Sequence, residues 1–219
     1  MKKRLRNLTA GFGLGLASLL PMKNANAQIK KGSVEYIQSE INENSYARPN
    51  LFYQLGKING FTFMEFYKNH KGYFGKTSLD KEVFKGISAK AIINHSGEPF
   101  GQLGLGVKAK IPHLPKGVYA DVGLAPLWVD NEWKIMNKIE AQYFFDISLP
   151  LGFSVNSFGT MDFAGTDGKG PQWGYGEINL GKDIGPVRIA YNPALLNKGN
   201  ALPRLEHRAT ISLNLGDKK

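Results

Sequence analysis

The 219-residue sequence contains no cysteine, which excludes disulfide bonds, thiolate nucleophiles and metal sites built from cysteine. After residue 27 it has no uninterrupted apolar run of about 18 residues, so no segment there qualifies as a transmembrane helix. The same region lacks a cluster of basic residues interleaved with aromatic ones, which argues against nucleic-acid binding. The class of protein must therefore be inferred from the periodicity of the side chains.

The first 27 residues have the three parts of a secretory signal peptide. A basic segment (residues 2–6) precedes a short apolar stretch (8–20) and the small residues Ala25-Asn26-Ala27, which signal peptidase recognises. We predict cleavage after Ala27 and export of residues 28–219 as a single domain. Five of the 28 Lys and Arg residues lie in the signal peptide, so the mature chain has 23 basic and 18 acidic residues and a net charge of +5.

Residues 135–149 alternate between two kinds of side chain. The odd positions are mostly apolar, whereas the even positions include Lys138, Glu140 and Asp146. The same period of two recurs in residues 103–111, 118–126, 153–163 and 208–215 and predicts an all-β, antiparallel fold. Because one face is apolar and the other carries charges, amides and glycines, the pattern is typical of a transmembrane β-barrel with a wet lumen.

A soluble, lipocalin-like barrel is the alternative, because it would place the apolar face inside and the polar face outside. Long strands and aromatic residues near their ends favour the membrane barrel, in which such residues form girdles at the lipid interfaces. These aromatic residues are Tyr46, Tyr67, Trp128, Trp133, Trp173 and Tyr191. We therefore expect the protein in the outer membrane, in contact with its lipid.

Twelve candidate strands can be counted, an even number as in single-chain bacterial barrels. They are residues 33–42, 48–56, 61–68, 72–78, 86–94, 100–111, 117–127, 134–149, 152–163, 172–180, 186–192 and 206–215. Ten strands are the alternative, since 33–42 and 72–78 are weakly patterned. The even-numbered connections are predicted to be mostly tight turns, and the odd-numbered ones include the longest loops, 164–171 and 193–205.

No arrangement of residues predicts catalysis or metal binding. The four histidines (70, 95, 113 and 207) do not pair with one another or with carboxylates at ligand spacing. No nucleophile motif and no nucleophile–base pair is found. We expect a protein that is not an enzyme and uses no cofactor or metal, with a lipid-modifying barrel enzyme as the less favoured alternative.

The polar faces of the strands are expected to line the lumen with charges of both signs and aromatic rings. The candidate solute-binding residues are Tyr119, Asp121, Glu140, Trp173, Tyr175, Glu177, Arg188 and Arg208. Trp173, Tyr175 and Glu177 alternate with glycines, so we predict that they project to one side of one strand. In the alternative interpretation the charges pair with one another and fill a closed lumen, which would make the chain a binding or structural barrel.

Short motifs over most of the mature chain resemble one known family. The aromatic segment Phe61–Tyr67 with Tyr73-Phe74-Gly75, the hairpin 141–163 and the segments 176–180 and 211–215 are similar to strands of the nucleoside-specific outer-membrane channels (Tsx-like). The resemblance implies a monomeric, twelve-stranded barrel whose narrow lumen passes nucleosides along aromatic and ionisable residues. The expected function is therefore an outer-membrane channel for small polar, nucleoside-like solutes.

Overall fold

The computed structural model describes residues 27–41, 45–68, 73–96, 101–163, 171–197 and 203–215. These residues contain one turn of 3-10 helix, Pro150–Gly152, and fourteen strands. The strands are β1 (Ala27–Ser39), β2 (Tyr46–Leu55), β3 (Ile58–Tyr67), β4 (Tyr73–Phe84), β5 (Ile87–Ser96), β6 (Gln102–Lys110), β7 (Val118–Asp130), β8 (Glu140–Ser148), β9 (Phe153–Asp162), β10 (Gln172–Ile184), β11 (Val187–Tyr191), β12 (Ala194–Leu196), β13 (Arg204–Glu206) and β14 (Arg208–Leu215). No helix among the described residues is long and apolar enough to span a membrane.

The strands close into one antiparallel barrel with twelve positions around its wall. Strands β1 to β10 pair in chain order. Strand β11 pairs with both β10 and β14, and β14 pairs with β1, which closes the ring. The short strand β12 continues β11 and pairs with β10, while β13 leads into β14 and pairs with β12. Strands β11 and β12 together occupy one position in the wall, and β13 and β14 together occupy another. The predicted number of twelve is therefore confirmed.

Several strand boundaries differ from the predicted ones: β1 begins at Ala27 instead of residue 33, and β10 extends to Ile184 instead of residue 180. Strand β8 begins at Glu140, so the alternation seen from residue 134 onward starts inside the connection 131–139. The weakly patterned segment 72–78 belongs to the twelve-residue strand β4, which extends to Phe84. Alternation in a connection is therefore not sufficient to form a strand, because a strand also needs a neighbour in register.

Tight turns lie together at one end of the barrel. The hairpins β2–β3, β4–β5 and β10–β11 have two-residue turns, in which Gly56, Gly86 and Gly185 adopt φ values of 60°, 78° and 62°. These left-handed conformations suit glycine, and they match the twist of two-residue hairpins. We call this the turn end and the opposite end, with the connection 131–139, the loop end. Of the two longest predicted loops, residues 164–170 and 198–202 lie outside the described residues. The predicted loop 193–205 is wrong in part, because it contains β12 and most of β13.

The outer surface is apolar and the inner surface is polar. Along β14, Ile211 and Leu213 are 57% and 45% exposed on the outside, whereas Thr210 and Ser212 between them are 1% and 2% exposed on the inside. A soluble barrel needs the reverse arrangement, because its outside meets water. The membrane barrel is thus confirmed and the lipocalin-like alternative is wrong.

Aromatic side chains on the outer surface lie across glycines. Tyr143 covers Gly159 of the next strand and Trp173 covers Gly176 of its own strand, and a Cβ atom at these glycines would come within 2.3 and 2.4 Å of the ring atoms. The absent side chains make room for the rings, which restore the packing that glycine removes from a strand. This packing explains why glycines occur on the lipid face.

The predicted aromatic girdle is wrong for three residues. Tyr46 and Trp128 are 2% and 0% exposed and lie inside the barrel. Tyr67 also points inward, where its hydroxyl donates a hydrogen bond to Glu65 at 2.5 Å. Aromatic residues near strand ends therefore serve the lumen as well as the lipid interface in this protein.

The predicted signal peptide, residues 1–27, lies outside the described residues except for Ala27, with which β1 begins. Cleavage after Ala27 stays a prediction.

Candidate functional site in the barrel lumen

Six charged side chains form a network across the lumen. This network, the Arg48 cluster, consists of Glu35, Arg48, Glu65, Glu177, Glu206 and Arg208. The guanidinium of Arg48 lies 2.7 Å from Glu35, 3.6 Å from Glu65 and 3.2 Å from Glu177. Because β2 and β10 are four positions apart around the ring, the pair Arg48–Glu177 spans a chord of the lumen.

Tyrosine hydroxyls connect the second guanidinium of the Arg48 cluster to the first. Arg208 pairs with Glu206 at 2.9 Å and donates to the hydroxyls of Tyr46 and Tyr175, both at 3.1 Å. Tyr175 in turn donates to Glu177. Charge-assisted bonds of this kind are stronger than neutral ones. The network therefore holds its side chains in one arrangement.

A second network, the Glu140 cluster, crosses the lumen from the other side. It consists of Lys76, Lys90, Lys138, Glu140 and Gln142. The ammonium groups of Lys76 and Lys138 lie 3.2 and 3.1 Å from the Glu140 carboxylate. Gln142 donates to Glu140 and accepts a hydrogen bond from Lys90. Strands β4 and β8 are again four positions apart, so Lys76–Glu140 forms a second chord.

Two phenylalanine rings lie between the chords. The guanidinium carbon of Arg48 is 6.0 Å from the ring centroid of Phe63, and the Lys76 ammonium is 5.5 Å from that of Phe158. Phe63 is directly opposite Lys76 in the β3–β4 register, and Phe158 is opposite Glu177 in the β9–β10 register. The two clusters therefore constrict the lumen at a similar level, with a ring at each end of the gap.

The connection 131–139 folds back into the loop end of the lumen. Met136 packs against the buried side chains of Ile92, Ala125 and Trp128, and its N–H donates to the Trp128 carbonyl at 2.8 Å. The Lys138 ammonium lies 3.8 Å from the centroid of a Trp128 ring. A cavity of about 220 Å³ beside this segment is lined by polar residues such as Lys138 and Glu140 and also by Met136 and Trp173. The cavity thus borders the Glu140 cluster.

Four of the eight predicted site residues lie in or against the two clusters. They are Glu140, Tyr175, Glu177 and Arg208. The other lumen residues lie nearer the turn end: Tyr119 donates to Asp121 at 2.8 Å, and Arg188 donates to Asn179 at 2.9 Å. The structure thus divides these seven residues between two levels of the lumen.

Trp173 corrects the prediction, because it lies on the outer surface. The β9–β10 register shifts between Trp173 and Tyr175, so the bulge at Gly174 places the two rings on opposite faces. Trp173 is opposite the outward-facing Met161, its ring is 6.5 Å from that of Tyr143, and its indole N–H donates to the Leu195 carbonyl at 3.1 Å. Its ring therefore faces outward, although the residue also borders the cavity beside Lys138 and Glu140.

Arg48 and Lys76, which are central to the two clusters, were not among the predicted site residues. Their positions follow the alternation of β2 and β4, in which Tyr46, Arg48 and Asn50 share the inner face, as do Phe74 and Lys76. The alternation within β2 and β4 could therefore have indicated these inward positions. The predicted strand at β4 was weakly patterned, however, and the one at β2 began only at residue 48. The contact between Arg48 and Glu177, 129 residues apart, has no local signal.

The histidines and acidic residues do not form a metal site in the described part of the chain, where no three potential ligands gather. His95 contacts Thr77 at 3.3 Å, and His207 bonds to Tyr191. His70 lies outside the described residues. The absence of catalysis stays a prediction.

Comparison with known proteins supports the fold. No protein-family model matches the chain, and no curated protein matches it either. Among solved structures it is similar to the NanC porin, with a TM-score of 0.57, 9% identity and coverage of 84% of this chain and 100% of that one. It is also similar to the KdgM porin, with a TM-score of 0.53, 4% identity and coverage of 86% and 99%. The chain therefore has the barrel fold of porins. Neither of these porins is named as a nucleoside channel, so that resemblance stays a prediction.

Proposed function

We propose that the protein is an outer-membrane channel for small polar solutes. The observation that carries this proposal is the pair of charged networks that constrict a lumen inside an apolar outer surface. The predicted signal peptide, the apolar exterior and the fold shared with two porins support the location. Lipid is then the partner of the outer surface, and the resemblance to the nucleoside channels favours a monomer.

The charges favour an open channel over a closed structural barrel. The Arg48 cluster brings four carboxylates and two guanidiniums together inside the barrel. Charged groups away from water are costly, and a lumen that was merely filled would be packed more cheaply with apolar side chains. The polar lining therefore supports a hydrated lumen.

The rings at the constriction support a nucleoside-like solute. Phe158 lies 6.5 Å from the Tyr175 ring, and the carboxylate of Glu177 is beside it. Aromatic faces stack on flat heterocycles, and neighbouring carboxylates accept hydrogen bonds from sugar hydroxyls. This arrangement fits the solute that the family resemblance implies.

Liposome swelling with the purified barrel tests the channel. Arabinose should enter and produce swelling, while the tetrasaccharide stachyose should be excluded by the constriction. If no solute produces swelling, the lumen is closed and the channel is contradicted. Recovery of the protein in the soluble periplasm would contradict the location.

Adenosine uptake tests the proposed preference for nucleoside-like solutes. Phe158→Leu keeps an apolar side chain but removes the ring, and loss of one stacking partner costs about 1–3 kcal/mol. We expect adenosine entry to fall about ten-fold while mannitol entry is unchanged. Phe145→Leu is the matched control, because Phe145 faces outward on the neighbouring strand. Equal entry of adenosine and mannitol into the unaltered barrel would contradict nucleoside preference and leave the channel intact.

A further inference from the structure

Six lysines are exposed around the turn end of the barrel. The connections after β6 and β8 also lie at this end, because alternate connections of an antiparallel ring share one end. The six lysines lie on the outer face of a strand, at a strand bulge or in a connection: Lys30, Lys57, Lys81, Lys85, Lys116 and Lys182. They belong to three strands and three connections. The basic groups are therefore spread around the rim.

The two lysines of this set that lie in regular strand pairing have uncharged partners. In the strand registers Lys182 is opposite Phe153 and Ile189, and Lys81 is opposite an isoleucine of β3 and an alanine of β5. The Lys182 ammonium lies 5.0 Å from the centroid of the Phe153 ring. These strand partners therefore leave the lysine charges uncompensated.

Carboxylates close to these lysines in sequence do not cancel the charge either. Asp80 and Asp183 point into the lumen, because neighbouring strand residues face opposite sides. There they pair with Lys108 at 2.7 Å and Arg188 at 3.4 Å. Glu82 is exposed at the rim and accepts a hydrogen bond from a backbone N–H of the β4–β5 turn at 3.0 Å. The described outside of the turn end thus has a clear excess of positive charge.

Large apolar side chains are exposed at the same end, next to the lysines. They are Ile29, Ile58, Val83, Phe84, Ile111, Leu149, Leu151, Phe153 and Ile184. Leu151 is 84% exposed, although its φ of 60° lies in the left-handed region that bulky residues avoid. In water these side chains would gain nothing, whereas a lipid surface covers apolar side chains and attracts the basic ones beside them.

The loop end has a different balance of charge. Among the described residues there, the exposed charged side chains are two carboxylates and three basic groups: Glu40, Lys68, Glu132, Lys134 and Arg204. Glu132 and Lys134 pair with each other. The combination of many lysines with exposed apolar residues is therefore a feature of the turn end in the described part of the barrel.

We propose that the turn end binds the anionic headgroups of phospholipids. The lysines contact the phosphates, and the apolar side chains enter the acyl layer beside them. Short turns of bacterial barrels face the periplasm, so the lipids are those of the inner leaflet. Lysines near an anionic lipid surface are attracted to it, and salt screens the attraction. This inference goes beyond the channel, because it requires a barrel in a membrane but not an open lumen.

Spin-labelled lipids measure the preference. With the purified barrel in phosphatidylcholine at low salt, electron spin resonance compares the association of labelled phosphatidylglycerol with that of labelled phosphatidylcholine. We expect a ratio of about two in favour of phosphatidylglycerol, since exposed lysines attract it and are partly screened. The triple variant Lys57→Gln, Lys85→Gln and Lys116→Gln removes three charges from the connections, and it should lower the ratio toward one.

The matched control removes three basic charges from the loop end by Lys68→Gln, Lys134→Gln and Arg204→Gln. It should leave the ratio unchanged, and heat-modified migration on gels should show that both triple variants fold. A ratio of one in the unaltered barrel would overturn the inference, as would a ratio that the turn-end variant does not lower. An equal or larger fall in the control would also overturn it, because the preference would then depend on net charge or on the loop end.

Discussion

The outer and inner surfaces of this barrel are held together by different kinds of contact. Outside, aliphatic residues such as Ile178 and Ile211 face lipid, and rings such as that of Tyr143 lie across glycines. Inside, Arg48 alone contacts three carboxylates that come from three other strands. The outer surface depends on the kind of residue at each position, whereas the inner one depends on which residues meet across the lumen.

This difference has a consequence for tolerance to substitution. Lipid offers no partner for a charge, so any charged residue on the outer surface is penalised. The lumen offers water and opposite charges, so a new charge there finds compensation. The two surfaces should therefore respond oppositely to the same substitution.

The largest expected effect is that of Ile178→Lys. Ile178 lies near the middle of β10 on the lipid face and is 48% exposed. A lysine at the bilayer midplane should lower the free energy of unfolding by about 2–4 kcal/mol. Urea titration of the barrel in lipid measures it. Asn156→Lys on the lumen face of β9 is the control: it lies opposite Asp146 and should cost less than about 1 kcal/mol. Equal losses would mean that the two surfaces do not differ as described.

A smaller effect is expected where neighbouring atoms lie so close to a glycine that a Cβ atom would not fit. A Cβ atom at Gly106 would lie 2.0 Å from the Leu124 carbonyl oxygen and 2.6 Å from the Ala125 Cα, at the bulge of β7. Because backbone cannot move aside as a side chain can, Gly106→Ala should lower the free energy of unfolding by about 1–3 kcal/mol. Gly159→Ala should cost less, since the Tyr143 ring can rotate. Gly32→Ala, with its nearest neighbour at 3.5 Å, is the neutral control, and a loss there as large as at Gly106 would contradict the steric account.

The same contrast explains how much the sequence could predict. The closed antiparallel barrel and its twelve positions follow from an alternation that is local to each strand, and the tight turns follow from glycines such as Gly56 and Gly86. The constriction could be predicted only in part. The pair Arg48–Glu177 forms because the ring closes with β2 and β10 four positions apart, a property that neither segment contains. A single bulge residue, Gly174, was sufficient to reverse the predicted face of Trp173, because the side-chain period in a strand is two.

The smallest expected effect separates the two rings that the sequence placed together. Trp173 covers Gly176 on the outer surface, so Trp173→Ala should leave adenosine entry unchanged within about two-fold, although it removes packing against lipid. Tyr175→Phe removes a hydroxyl that donates to Glu177 and accepts from Arg208, so the free energy of unfolding should fall by about 1 kcal/mol. Its effect on adenosine entry should exceed that of Trp173→Ala, because only Tyr175 faces the constriction. A ten-fold fall in adenosine entry with Trp173→Ala would instead place that ring in the lumen, and the bulge at Gly174 would then be wrong.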